Sequence, residues 1–295
     1  MNPLLDTPVE EYQLPGLGPI WAKREDLCCP SPGPPFSKIR GVYRGIAKLK
    51  SEGIKVVSYV ESKISMASWG VAWACKQIGG IRAVIFMPNY KDGTPPLLEY
   101  HRQQWEALGA ETRLMQKPSR GQINAHRAKK ELKEDFGDKA VLLPMGLPFT
   151  ETQEETAVQV HKSNPAQFGC VTVCVGSGVI CSGIVRGLSE SVGGLVSLRK
   201  PVKVYGIAIR RFDHPGKKRT EILTRSGAMG GLLFPSVDFK FINTDYEYLD
   251  FESMEPPFPC NPFYDRKAFR WVVENYYKLE QPILFWNIGS GGVVP

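Results

Sequence analysis

An amine nucleophile must give up its proton before it attacks, and a lysine sheltered at a helix mouth suits that better than a solvated one, although any lysine taken singly reads as a surface residue. Lys38 lies in Pro35-Phe36-Ser37-Lys38-Ile39-Arg40-Gly41, after the turn-forming run Pro30-Ser31-Pro32-Gly33-Pro34-Pro35 and at the mouth of a segment with helical apolar spacing. Shelter from water there favours the neutral amine and hence Schiff-base chemistry with an aldehyde. Farther along, the apolar run Val171-Thr172-Val173-Cys174-Val175 passes into Gly176-Ser177-Gly178-Val179-Ile180 and then into a helix-compatible stretch. Glycines let backbone N–H groups turn onto an anion, and a following helix adds its positive end, so this is a phosphate-binding pattern. Taken alone, such a turn is as compatible with an ordinary tight connection. A third run, Pro282 to Asn287, ends in Ile288-Gly289-Ser290-Gly291-Gly292 and presents a hydroxyl beside glycines. Tyr246, Tyr248 and Tyr264 are candidates for a second proton-transfer group, although most tyrosines serve packing. The basic run Arg210 to Arg219, which includes His214, reads as a solvated face or as a strip for nucleic-acid phosphates.

These groups need a scaffold. Strand candidates are Lys55 to Tyr59, Ile81 to Met87, Val141 to Leu143, Val171 to Val175, Val202 to Ile207 and Pro282 to Trp286. They alternate with helix candidates Gly41 to Glu52, Ser68 to Ile78, Leu97 to Leu108, Ile123 to Phe136, Thr152 to Asn164, Ser182 to Ser189 and Lys267 to Leu279. Alternation of this kind predicts an α/β protein whose largely parallel sheets carry helices on their faces. With 295 residues, 42% of them hydrophobic, the chain can bury an ordinary core. No apolar run of about 18 residues suggests a membrane span, and the start of the chain lacks the pattern of a secretory leader, so a cytoplasmic protein is expected. Seven cysteines without a paired framework read as reduced thiols. With four histidines, none at ligand spacing, no metal site is expected. The net charge of +7 favours anionic ligands.

The Lys23-Arg24-Glu25-Asp26-Leu27 cluster followed by Ser37-Lys38-Ile39-Arg40-Gly41 resembles the corresponding segment of fold-type II enzymes that depend on pyridoxal 5'-phosphate (PLP). Asn261-Pro262-Phe263-Tyr264-Asp265-Arg266-Lys267-Ala268 resembles a stretch of the 1-aminocyclopropane-1-carboxylate deaminase and D-cysteine desulfhydrase branch. Gly70 to Gly79 and the Leu108-Gly109-Ala110-Glu111 turn extend the likeness over nearly the whole chain. The resemblance implies two domains, a large PLP-binding one (1–48 plus 150–295) and a small substrate one (49–149), and a homodimer. It implies that Lys38 carries PLP as a Schiff base, that Gly176, Ser177, Gly178, Val179 and Ile180 grip its phosphate, and that Ser290 bonds the ring nitrogen. A hydroxyl there would leave the nitrogen largely unprotonated and weaken the electron sink. By the same resemblance Tyr264 is a catalytic acid/base; Tyr246 is a substrate-contact candidate, as are Ser65 and Ser68, which can cap a helix start whose N–H groups meet a carboxylate.

One departure stands out. Where the family has an asparagine-bearing turn whose amides receive the substrate carboxylate, this chain reads Ser62-Lys63-Ile64-Ser65-Met66-Ala67-Ser68, without asparagine. Two activities follow as expectations. The first is deaminase or lyase chemistry at the α-carbon of a small amino acid. The alternative is action on an amino acid attached to thymine in DNA, by decarboxylation or cleavage (for example, glycyl-thymidine to aminomethyl-deoxyuridine). Compact members resembling this chain occur in phage base hypermodification, which would place it in a host cytoplasm. A protein that only binds PLP fits poorly with an intact Lys38, phosphate turn and Ser290.

Overall fold

The uninterrupted apolar run after Gly169 requires cover on both faces, the condition of a strand inside a parallel sheet. In the computed structural model, which describes residues 3–190, 201–227 and 237–291, that run is β7 (Cys170–Val175), buried along its whole length. It lies within a six-stranded sheet. The order is β1 (Val9–Leu14), β2 (Gly18–Arg24), β10 (Ile283–Asn287), β7, β8 (Val202–Ala208) and β9 (Val237–Ile242). Every pairing is parallel except β1 with β2. A second sheet is wholly parallel, in the order β5 (Glu111–Leu114), β4 (Arg82–Met87), β3 (Val56–Val60), β6 (Ala140–Leu142). The α/β architecture with largely parallel sheets is thus as expected.

Each helix candidate is present: α1 (Ile39–Ser51), α2 (Ala67–Ile78), α3 (Pro96–Ala107), α4 (Gly121–Phe136), α5 (Thr150–Lys162), α6 (Val179–Glu190) and α8 (Asp265–Asn275). The structure adds elements that the sequence reading lacked. β1 and β2 form a hairpin whose turn glycines obscure the alternation, and β5 and β9 are only partly buried. The basic run assigned to a loop continues into α7 (Pro215–Arg225). That helix is polar nearly all round, with Ile222 as its fully buried apolar residue, so it carries little periodic signal. Gly292 lies outside the described residues. Among those residues, no helix is long and apolar enough to cross a membrane and no cluster of three potential metal ligands occurs. All seven cysteines are free and buried.

The position of α1 governs the position of Lys38, its N-cap residue. Ile39, Val42 and Ile46 form a fully buried stripe on α1 at helical spacing. Its neighbouring face approaches α5 so closely that a Cβ on Gly41 would lie 2.0 Å from Thr152 Oγ1 and 2.3 Å from the Thr152 backbone nitrogen. Backbone cannot yield as a flexible side chain does, so only glycine fits. Gly41→Ala is expected to cost about 1–3 kcal/mol by overpacking. Its thermal midpoint should fall by about 2–10 °C, measured by circular dichroism beside the parent chain. An unchanged midpoint would mean that α1 is not seated on α5 in this way.

Candidate active site

Lys38 is fixed from two directions. Its own turn is stitched to the segment after β10: Ser37 N–H donates to Ile288 O (2.8 Å), Ser290 N–H donates to Pro35 O (3.1 Å), and Phe36 bridges Gly289. Behind it stands a buried ionic network built from the charged cluster that the sequence singles out. Arg24 donates to both carboxylate oxygens of Asp26 (2.9 Å each), Arg40 of α1 pairs with Glu25 (2.9 Å), and Asn287 of β10 donates to Asp26 (3.0 Å). Lys23 donates to Thr7 O (2.6 Å) and to Gln159 (3.2 Å). Lys23, Arg24, Glu25 and Asp26 line no part of the cavity described below. They join β2, α1 and β10 into one frame; removing one partner would leave a buried charge uncompensated.

The Lys38 side chain reaches a cavity of about 530 Å³ between the two sheets' helices and loops. Its ammonium donates to Gly146 O (2.8 Å) and Ser177 Oγ (3.2 Å). Removal from water lowers its pKa to about 8, and the cations Arg225 and Lys218 push the same way. The amine is therefore available near neutrality, where an exposed lysine is not.

Gly176, Ser177, Gly178, Val179 and Ile180 all line the cavity. Gly178 has φ +84°, a left-handed conformation, and a Cβ there would meet Ile222 Cγ1 at 2.9 Å. The chain can thereby turn from β7 directly into α6. The first ladder bond of α6 runs from Ser182 N–H to Gly178 O (2.9 Å), so the amides of residues 179–181 precede the helix's own pairing, the arrangement that can receive an anion. Lys218 and Arg225, both on α7, donate to Ser177 O (2.8 and 3.0 Å) and bring two positive charges beside that turn. Lys218 and Arg225 carry the second half of this site, and the sequence reading had not assigned them to it.

The remaining predicted residues divide between cavity and surroundings. Tyr264 and Ser65 line the cavity. The hydroxyls of Tyr264 and Tyr248 bond each other at 2.7 Å, and burial raises both pKa values, so they act as neutral hydroxyls. Lys267, fully buried, braces this pair's loop by donating to the carbonyls of Ile209 and Glu247 (2.9 and 2.8 Å). Ser290, Ser68 and Tyr246 are not among the lining residues. Ser68 is buried beneath the α2 terminus, and Tyr246 donates to Glu252 (2.6 Å).

Asp265, which the sequence reading passed over, does line the cavity. Its Oδ1 accepts from Ile288 N–H (2.9 Å), whereas Oδ2 is buried with no partner among the described residues. Burial raises its pKa to about 8. An orphaned buried carboxylate oxygen calls for a ligand donor. A cavity that holds an available amine, an anion-binding helix start and this orphaned oxygen fits a group bearing an aldehyde, a phosphate and a ring nitrogen, as PLP does.

The comparisons agree. The profile of the family described as "Pyridoxal-phosphate dependent enzyme" matches residues 2–240. The glycyl-dTMP PLP-dependent decarboxylase of Pseudomonas phage M6 is 37% identical over 297 residues, covering 97% of this chain and 99% of that protein. Among solved structures, a homologue of 1-aminocyclopropane-1-carboxylate deaminase superposes with a TM-score of 0.72 at 22% identity, covering 97% of this chain and 90% of that one. The processed form of threonine deaminase isoform 2 from Solanum lycopersicum superposes with a TM-score of 0.64 at 16% identity, covering 99% of this chain and 85% of that one. The fold expected from the charged cluster and Lys38 is the fold of these proteins, and the chain belongs to the pyridoxal-phosphate-dependent enzyme family.

Proposed function

We propose that this enzyme removes the carboxyl group from a glycyl unit carried on a thymine nucleotide of DNA, rather than deaminating a free amino acid. The observation that carries this reading is at the cavity mouth: Arg210, Phe212 and Lys218 line the same cavity as Lys38. The Arg210 guanidinium lies over the Phe212 ring at 5.0 Å, and Phe212 packs edge-on against Phe241 of β9. A cation stacked on an aromatic face at the rim suits a phosphate and a base, which a small free amino acid lacks. The similarity to a glycyl-dTMP decarboxylase over nearly the full length supports the same reading. The neighbours named as deaminases support the fold alone.

In this reading Lys38 would hold PLP, and the Gly176–Ile180 turn with Lys218 and Arg225 would receive its phosphate. Asp265 Oδ2, in preference to Ser290, pairs with the ring nitrogen. Bound PLP supplies an electron sink for the pair left when a bond at the substrate α-carbon breaks. The Lys38 amine would return a proton to the substrate α-carbon. Tyr248 and Tyr264 hold substrate polar groups as neutral donors. The apolar lining from Phe36, Met66, Leu147 and Ile209 excludes water. The division into a large domain (1–48 plus 150–295) and a small one (49–149) is part of this proposal, supported by the two sheets' strand membership. So is the homodimer, which sedimentation would measure.

The reaction is tested by mass analysis of an oligonucleotide carrying glycyl-thymine, incubated with holoenzyme beside a panel of free amino acids. Loss of carbon dioxide from the oligonucleotide, without ammonia release from the panel, is expected; the reverse pattern defeats the proposal. Arg210→Ala should raise KM for the oligonucleotide with little change in kcat, and should reduce the slope of log binding against log salt by about 1.

Two predictions concern the cofactor site. Because burial lowers the Lys38 pKa, the neutral amine is populated above pH about 8. PLP capture by the apo-protein, followed by absorbance, should rise with pH and level off shortly above that value. A rise continuing to the ordinary lysine range would contradict the burial argument. Asp265→Asn should retain PLP but lose turnover by about 10- to 100-fold, the equivalent of a hydrogen bond to a charged group; Ser290→Ala should fall far less.

A further inference from the structure

Glu61 follows β3 directly, and its side chain is almost wholly buried. Its main-chain N–H donates to Phe86 O (3.0 Å), which holds it in line with the sheet. The carboxylate turns back onto the start of α2. One oxygen accepts Ser62 N–H (2.8 Å) and the other accepts Ser68 N–H (2.7 Å). Ser65 Oγ accepts Ala67 N–H (3.0 Å). Ser62, Ser65, Met66 and Ala67 form the adjoining cavity wall. A helix start beside a cavity is the natural receptor for a ligand's anionic group, because its first amides lack intrahelical partners. Here the chain's own groups have taken the amides of Ala67 and Ser68. Burial raises the Glu61 pKa to about 7 while its two N–H donors favour its charged form, so a second carboxylate placed there would find both amides taken and meet Glu61 at close range.

Elsewhere on the wall the polar groups have other roles in this reading: Arg210 and Lys218 serve the nucleotide and the phosphate, and Tyr248 and Tyr264 are neutral hydroxyls that bond each other. Phe36, Met66, Leu147 and Ile209 are apolar, and the amides at the α6 start lie with the proposed phosphate. A carboxylate moved from water to an apolar surface without donors is raised in energy. Its departure as neutral carbon dioxide relieves that cost.

We propose that Glu61 is a specificity-determining residue: by occupying the anion place at the α2 start, it denies the substrate α-carboxylate those amides and directs bond breaking to the carboxylate. This rests on the decarboxylase reading. The Cα–carboxylate bond breaks, its electron pair stays with the α-carbon, carbon dioxide leaves, and one proton from Lys38 completes the product. No oxidant or reductant enters.

The test compares two simple amines as ligands of the PLP-loaded protein, by absorbance titration with correction for amine protonation. Glycine carries a carboxylate and methylamine does not. In the parent chain their dissociation constants should agree within about threefold. In Glu61→Ser, which frees both amides, glycine should bind at least about tenfold more tightly relative to methylamine, a gain of about 1.4 kcal/mol. Glu61→Gln keeps the side-chain volume but replaces one acceptor oxygen by a donor, and should shift the ratio the same way by a smaller factor. A parent chain that already prefers glycine by about tenfold or more overturns the proposal, whether or not the variants fold. So does a folded Glu61→Ser protein with the parent ratio. The titration needs no nucleotide. A parent chain indifferent to glycine that fails to decarboxylate the oligonucleotide would sink the proposed function and keep Glu61's role. A parent chain that decarboxylates it yet prefers glycine would sink Glu61's role alone.

Discussion

Everything about this site depends on withholding water from one amine without leaving it unbonded. Lys38 Nζ has two acceptors, the Gly146 carbonyl and the Ser177 hydroxyl, and the cations Lys218 and Arg225 stand near enough to oppose its charge. Desolvation alone would make a buried ammonium costly, and the two acceptors offset that cost while leaving the proton easy to lose. The same pair of cations serves the phosphate turn through Ser177 O. One arrangement therefore prepares an amine to react and an anion site beside it, and a phosphate-bearing aldehyde satisfies both at once.

The scaffold supports that amine from a distance. The buried ions at positions 23–26 never enter the cavity, yet they tie β2 to α1 through Arg40 and to β10 through Asn287. β10 in turn positions Ile288, whose carbonyl accepts from Ser37 and whose N–H orients Asp265. Ser37, the residue before Lys38, and Asp265 are thus held by the two polar groups of a single residue's backbone.

Lys38 and the Gly176–Ile180 turn were legible in the sequence because their chemistry is written in contiguous residues: a lysine at a helix mouth and a strand–glycine–helix junction. The strands and helices with strong apolar periodicity were legible for the same local reason. Asp265 was quoted within a motif without a role, since its significance arises only when the start of α8 meets the end of β10 and one oxygen is left without a donor. Ser290 is suggested by sequence order; its main-chain N–H bonds Pro35 O and helps stitch the segment after β10 to the turn before Lys38. The lost asparagine turn signalled altered carboxylate recognition. That Glu61 had moved into the place of the ligand could not be read from its position after a strand, because the folding back of its side chain is a tertiary fact. α7 escaped notice because a helix polar on nearly every side has no periodic stripe, although its Lys218 and Arg225 complete the anion site.

The central claim, that Lys38 is the residue that holds PLP, is tested most directly by reducing the PLP-loaded protein with borohydride and mapping the pyridoxyl group by peptide mass analysis. Attachment at Lys38 alone is the expected result. Attachment at Lys218, Lys267 or another lysine, or no attachment in a protein that retains PLP, would contradict it.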